Sequence, residues 1–121
     1  MHISQDCSFV ILLTNLPDRD SALSLATDLL ELRLAACVNV LQSCVSMYHW
    51  QGKIETADEV PVWIKAPVEN YAAIEQVIRT RHPYELPEII ALPVLVGHPG
   101  YLEWIATVCR SADGRQAVDN T

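Results

Sequence analysis

The sequence predicts an α+β fold whose elements follow the order βαββαβα. Short apolar runs rich in β-branched residues alternate with segments whose apolar residues recur every three or four positions, and these are the strand and helix periods. A tight-turn signal at Gly52 lies between two β patterns and predicts a hairpin. The helices before and after this hairpin connect strands in the split βαβ manner. The expected fold is therefore a ferredoxin-like βαββαβ sandwich, an antiparallel sheet with helices on one face, followed by an extra C-terminal helix.

The first strand and the first helix are marked by a change of period. Residues 7–14 contain the continuous apolar run Phe9–Leu13, which is typical of a strand covered on both faces. After a turn, apolar residues spaced three and four apart predict an amphipathic helix over residues 20–33. Asp18 or Ser21 can cap its N-terminus.

A long hairpin is predicted next. Residues 35–50 are interpreted as one long, bulged strand, Gly52 supplies the positive φ that the turn requires, and residues 54–66 return. Bulky and polar residues flank the tip, so we expect the ribbon to project beyond the sheet with unpaired edges. Proteins cover such edges with another copy of the chain, or interrupt them with residues such as Pro61. Oligomerisation through the hairpin is therefore expected.

The second half of the chain predicts a helix, a strand and a short helix. Apolar residues on one helical face indicate a helix over residues 67–81, residues 89–96 form an apolar strand, and residues 101–108 predict the last helix. We expect residues 7–110 to form a single domain and the unpatterned residues 111–121 to form a flexible tail.

Composition and charge exclude several classes of function. A formal net charge of −7 argues against a nucleic-acid partner, since phosphate binding needs a basic surface, and favours a cationic ligand or a basic partner. Residues 1–6 lack the positive region of a signal peptide, and no apolar run reaches the roughly 18 residues of a membrane helix. We therefore expect a cytoplasmic protein without a membrane partner. The 4 scattered cysteines are expected to be reduced thiols.

Two prolines stiffen the segment His82–Glu88, which we call the prolyl loop. This loop carries His82, Tyr84, Glu85 and Glu88, whose side chains can donate, accept or bind a metal. Stiff loops ahead of strands are frequent binding sites, and the alternative is a rigid connection whose polar groups satisfy the local backbone. For His82, the alternative to metal binding is a favourable charge at a helix C-terminus.

Several short segments form an ordered series of motifs, Leu34–Asn39, Tyr48–Ile54, Val62–Lys65, His82–Ile89 and Tyr101–Ile105. This series resembles the successive signatures of the CutA family, whose members are associated with tolerance of divalent cations. The resemblance extends over most of the predicted domain. It implies a cytoplasmic homotrimer of ferredoxin-like subunits, similar in architecture to the PII signalling proteins and joined through the long hairpin.

The resemblance also implies where a metal site would lie. In the family, a copper site is attributed to a cysteine at the end of the first strand and to two histidines immediately before the Pro-Tyr of the prolyl loop. The corresponding residues here are Leu13, Arg81 and His82. Only His82 can bind a metal, and the permanent charge of Arg81 repels a cation. A divalent site would have to recruit Cys37, a carboxylate of the prolyl loop or residues of another subunit.

A second candidate site is a cleft between subunits. Lys65 could line it with Glu59, Glu88 and Trp50 and bind a small anion, whereas the alternatives are a surface lysine and a tryptophan that anchors the core or an interface. The candidate ligand-binding residues are Cys37, Trp50, Glu59, Lys65, Tyr84, Glu85 and Glu88.

The sequence favours a function without catalysis. Glu85 and Glu88 have no evident nucleophile or partnered base beside them. The acylphosphatase-like alternative on this fold needs a glycine-rich phosphate loop after the first strand, and Asn15–Arg19 contains no glycine. We expect a homotrimer that acts in the response to divalent metal ions, with copper as a candidate ligand. The alternative is a PII-like signalling or scaffold trimer that binds a small molecule or a partner protein in the cleft.

Overall fold

The computed structural model describes residues 7–110, and the predicted tail, residues 111–121, lies outside the described residues. The strands are β1 (Phe9–Leu16), β2 (Cys37–Val40), β3 (Cys44–Trp50), β4 (Lys53–Pro67) and β5 (Ile90–Pro93). The helices are α1 (Arg19–Glu31), α2 (Tyr71–Arg81) and α3 (Pro99–Val108), and a 3-10 turn, Val68–Asn70, precedes α2.

The sheet is antiparallel and has the strand order β2-β4-β1-β5, with β3 paired to the Lys53–Glu59 half of β4. Strands β1 and β2, which α1 connects, are separated by β4. Strands β4 and β5, which α2 connects, are likewise separated by β1. This is the split βαβ arrangement, so the predicted ferredoxin-like α+β fold is confirmed.

The core lies between one face of the sheet and helices α1 and α2. In β1 every second residue is buried, and the same alternation buries the matching residues of β4. Helix α1 begins at Arg19, just before the predicted start at residue 20, because the Asp18 side chain caps it by accepting a hydrogen bond from the Ser21 amide at 2.7 Å. The core residues include Val10, Leu12, Leu16, Leu25, Leu29, Val62, Ile64, Ile74 and Ile78.

The opposite face of the sheet, which we call the open face, is only half covered in the single chain. It carries Ile11, Leu13, Lys65 and their neighbours, because residues paired across antiparallel strands lie on the same face. The exposed fractions are 40% for Trp63, 51% for Ile90 and 50% for Leu92. The expectation that β1 is covered on both faces is therefore not met within one chain.

The hairpin forms as predicted, but its first arm is two strands rather than one. The pairing of β2 with β4 stops at Val40↔Val62, and the pairing of β3 with β4 starts at Cys44↔Glu59. Between these two pairs, the first arm contains one more residue than β4. The interruption is caused by Pro61, because its carbonyl accepts a hydrogen bond from the Leu41 amide at 2.9 Å but its nitrogen carries no hydrogen to donate to the first arm. The extra residue is the predicted bulge, placed opposite a proline.

The tip of the hairpin is a two-residue turn. Gln51 has a φ of 52° and Gly52 a φ of 81°, so both central residues are left-handed. The sequence identified Gly52 and missed Gln51. The ribbon formed by β3 and Lys53–Glu59, which we call the projecting ribbon, is largely exposed along β3.

The last strand is shorter than predicted, and the last helix is longer. Strand β5 ends at Pro93, with one further bond from the Val94 amide to the Phe9 carbonyl at 3.0 Å. Helix α3 begins at Pro99 instead of Tyr101, because the His98 ring accepts from the Tyr101 amide at 3.1 Å and caps it.

Candidate functional site

A cleft of about 760 Å³ lies between the prolyl loop and the projecting ribbon. The ribbon wall supplies Trp50 and Glu59, and the loop wall supplies Tyr84, Glu85 and Glu88. The structure thus brings together five of the residues predicted to bind a ligand. The remaining wall residues are Asn15, Ser46, Met47, Tyr48, His49, Leu86 and Pro87.

His82 anchors the prolyl loop from behind the cleft. Its side chain is buried, with 8% of the residue exposed. The Nε2 atom lies 2.5 Å from the Asn15 carbonyl oxygen and Nδ1 accepts from the Tyr84 amide at 3.2 Å, an arrangement that fits a neutral ring carrying its hydrogen on Nε2. A metal ion bound by His82 would have to displace one of these hydrogen bonds.

The other two positions of the implied copper site lie apart from this ring. Leu13 is on the open face, opposite Trp63 in the strand register. Arg81 forms an ion pair with Asp28, which joins the end of α2 to α1. Across residues 7–110, no three His, Cys, Asp or Glu side chains are grouped so that they could hold a metal ion. The metal role of His82 stays a prediction.

The cleft is acidic, and one of its carboxylates, that of Glu88, is oriented by a hydrogen bond. Glu59 is 7% exposed. Burial raises the pKa of the Tyr84 hydroxyl above its ordinary value, and the charge of the neighbouring Glu59 carboxylate raises it further. The Asn15 amide donates to Glu88 Oε1 at 2.9 Å. Tyr84 is therefore a neutral hydroxyl near pH 7 and adds no charge of its own to the cleft.

The remaining two predicted residues form a separate cluster on the open face. Cys37 and Lys65 are paired between β2 and β4, and Lys65 Nζ lies 6.0 Å from the centroid of the Tyr101 ring. Burial raises the pKa of the Tyr101 hydroxyl, and the charge and hydrogen bond of Cys37 add to the shift. Within one chain Lys65 does not line the cleft, so the predicted combination of Lys65 with Glu59 and Glu88 requires another subunit and stays a prediction.

A family model described as CutA1 divalent ion tolerance protein matches residues 10–108. The chain belongs to the CutA1 family. A CutA protein of Pectobacterium atrosepticum, named a divalent-cation tolerance protein, is 41% identical over 82% of this chain and 90% of its own length. The crystal structure of CutA from Xylella fastidiosa has a TM-score of 0.82 at 42% identity, covering 84% of this chain and 98% of that one.

The resemblance to the CutA family predicted from the motifs is thereby confirmed. A third CutA, from Archaeoglobus fulgidus, is described as a periplasmic divalent cation tolerance protein; it has a TM-score of 0.78 at 34% identity and covers 80% of this chain and 94% of that one. In the present CutA1 chain, the helices within residues 7–110 are too short or too polar to cross a membrane.

Two of the CutA1 motifs identified from the sequence form the opposite walls of the cleft. Tyr48–Ile54 lies in the projecting ribbon and His82–Ile89 includes the prolyl loop. Asn15 was missed, although it contacts both His82 and Glu88. No sequence signal marks it, because its role depends on where the prolyl loop docks against the end of β1.

Proposed function

We propose that this CutA1 chain acts as a non-enzymatic homotrimer that binds a divalent cation, with copper as the first candidate, in divalent-cation tolerance. The family description names tolerance rather than a reaction, which supports a role without catalysis. No chelating group of three side chains forms within residues 7–110, and in this proposal the cation site takes further ligands from a second subunit.

The apolar open face carries the proposal of a trimer. Trp63, Ile90 and Leu92 form part of a half-exposed apolar surface on the sheet, and exposed apolar surfaces of this kind mark contacts between proteins. Within residues 7–110, β3 pairs with β4 on one edge alone, and its other edge in the projecting ribbon offers a second contact. Both features favour assembly of identical subunits through the sheet and the hairpin.

Light scattering on the eluting peak of a size-exclusion column tests the assembly. We expect a mass three times the 13.5 kDa of one chain. Leu92→Glu, which places a charge on the open face, should lower that mass. The matched substitution Leu23→Glu, at an exposed position of α1, should leave it unchanged. A wild-type mass of one chain would contradict the trimer.

Calorimetric titration of Cu²⁺ into tag-free protein tests the cation site. His82→Ala should weaken binding about tenfold or more if this ring is a ligand. His98→Ala is the matched control, since that exposed ring caps α3. An unchanged isotherm in the His82 variant would remove His82 as a ligand.

We also infer a cytoplasmic location, in contrast to the relative described as periplasmic. The support is that Cys7, Cys37, Cys44 and Cys109 are all free thiols, as is usual in a reducing compartment. Fractionation of cells that express the protein tests this, and recovery from an extracytoplasmic fraction would contradict it.

A second function is favoured by the cleft itself. Its size and its mixture of aromatic and carboxylate side chains suit a small-molecule site, as in a PII-like signalling or scaffold trimer that binds a small molecule or a partner protein. A thermal-shift screen of metabolites and a pull-down test this role. Absence of any stabilising compound and of any partner would count against it.

A further inference from the structure

Glu59 is a buried carboxylate without a positive partner. It lines the cleft and is 7% exposed. The salt bridges among residues 7–110 join Arg79 to Glu75 and Arg81 to Asp28, and neither includes Glu59. The Tyr84 hydroxyl beside it is a neutral group and does not compensate the negative charge. Because a buried charge without a counter-charge is costly, this position is suited to a positively charged group.

The carboxylates of the cleft are distributed rather than convergent. Glu59 belongs to β4, whereas Glu85 and Glu88 belong to the prolyl loop on the opposite wall. They do not form a metal-holding group within the described chain, and the cleft volume of about 760 Å³ greatly exceeds that of a single ion. A ligand that neutralises all three must carry several positive charges separated along its length.

The cleft walls between the carboxylates are aromatic and apolar. Tyr48, Trp50 and Met47 lie along the ribbon wall, and Leu86 and Pro87 along the loop wall. Aromatic faces attract alkylammonium groups, and a thioether adapts to a methylene chain. Lysine and arginine are absent from the lining of this cleft as it forms between residues 15 and 88, and the basic side chain of the lining is that of His49.

We propose that the cleft binds a linear aliphatic polyamine. One terminal ammonium group lies against Glu59, a second against Glu88, and the methylene chain between them lies on Trp50 and Tyr48, whose side chains share one face of β3 with Glu59 across the pairing with β4. This inference rests on the second proposed function, a ligand-binding cleft, and names the chemical class of its ligand.

Titration calorimetry with spermidine at physiological salt tests the proposal on the tag-free, full-length protein. We expect saturable binding that Glu59→Gln and Glu88→Gln each weaken about tenfold. Glu69→Gln removes the same charge at an exposed position beyond the far end of β4 and should change the affinity less than about twofold. Equal weakening by all three variants would indicate unspecific attraction to an acidic protein and would overturn the proposal.

Ligand length and charge provide a second measurement. A diamine with eight methylene groups should bind more tightly than ethylenediamine, whose two ammonium groups are joined by a much shorter chain, and the diol of the same length as the long diamine should not bind. Equal affinities for the long and short diamines would overturn the proposal.

Light scattering on every variant separates this inference from the proposed assembly. If spermidine does not bind wild-type protein of trimeric mass, the polyamine site alone is overturned and the proposed assembly is unaffected. If the Glu59→Gln variant no longer has trimeric mass, the test of the polyamine site is decided by Glu88→Gln, because Glu88 is exposed.

Discussion

Replacement of His82 by alanine should destabilise the protein even when no metal is present. The ring joins the prolyl loop to the end of β1 through a hydrogen bond to the Asn15 carbonyl and another from the Tyr84 amide. It also packs against the Tyr84 ring at a centroid distance of 4.7 Å. All three contacts hold the loop wall of the cleft in place, so their loss should loosen that wall.

The expected loss of stability follows from these contacts. Each hydrogen bond contributes about 1 kcal/mol net. The contact between the rings adds about 0.5 to 1 kcal/mol, and the ring leaves a partly filled hole. The free energy of unfolding should therefore fall by about 2 to 4 kcal/mol. His82→Gln, which can keep a donor near Asn15, and His82→Asn, which can keep an acceptor near Tyr84, should each recover about 1 kcal/mol.

Guanidinium unfolding in the presence of a chelator measures this loss, at one fixed protein concentration because assembly contributes to stability. Gln76→Ala, at an exposed position of α2, is the control and should change stability by less than about 0.5 kcal/mol. Hydrogen exchange should show faster exchange of the prolyl-loop amides in His82→Ala. A loss below about 1 kcal/mol, or equal stability of the alanine, glutamine and asparagine variants, would refute the anchoring role.

Three further expectations concern other elements of the fold. Asn70 is fully buried, and its side-chain amide donates to the backbone carbonyls of Leu34 at 3.0 Å and Arg110 at 2.7 Å. Asn70→Ala should therefore lower the free energy of unfolding by about 2 to 3 kcal/mol in the same assay. A loss no larger than that of an exposed control variant would contradict this. The hydrogen bond from the Ser21 amide lowers the pKa of Asp18 below 3.8 in the folded state. The charged Asp18 carboxylate therefore stabilises the fold fully above pH 3.8, and this stabilisation is lost as the pH falls through the lowered pKa of the folded state. The difference in unfolding free energy between wild type and Asp18→Ala should narrow below about pH 4. A difference that does not depend on pH would refute the charged cap. Burial raises the pKa of the Cys109 thiol to about 11. Iodoacetamide at pH 8 should therefore label the exposed Cys44 and leave Cys109 unlabelled, as measured by peptide mass spectrometry. Comparable labelling of both cysteines would contradict the burial of Cys109.

The fold was accessible to sequence reasoning because its local signals agree with one another. Period, caps and turn residues placed β1, α1, β4 and α3 close to their observed bounds, whereas α2 begins later and β5 ends earlier than predicted. The division of the first hairpin arm comes from pairing across the sheet. The sequence contains Pro61, but only the register shows that it faces the Leu41–Ser43 segment and divides the first arm of the hairpin into β2 and β3.

The candidate site was only partly accessible, because it is built from contacts distant in sequence. Motifs identified both walls of the cleft, yet the role of His82 depends on Asn15, which is 67 positions away in the chain. The grouping of Lys65 with Glu59, which was predicted for a cleft between subunits, does not form within one chain and stays a prediction. Pairing of Cys37 with Lys65 places that lysine at the far part of the open face, under the start of α3.

One strand links the cleft to the open face. Glu59, Trp63 and Lys65 are separated by even numbers of residues along β4, so their side chains share one side of the sheet, while Val60 and Val62 point into the core. A second subunit that covers Trp63 would therefore approach the buried carboxylate of Glu59 from the same side. Ligand binding in the cleft and subunit assembly should then be coupled, so a cation that neutralises Glu59 should also raise the denaturant concentration at which the assembled protein dissociates.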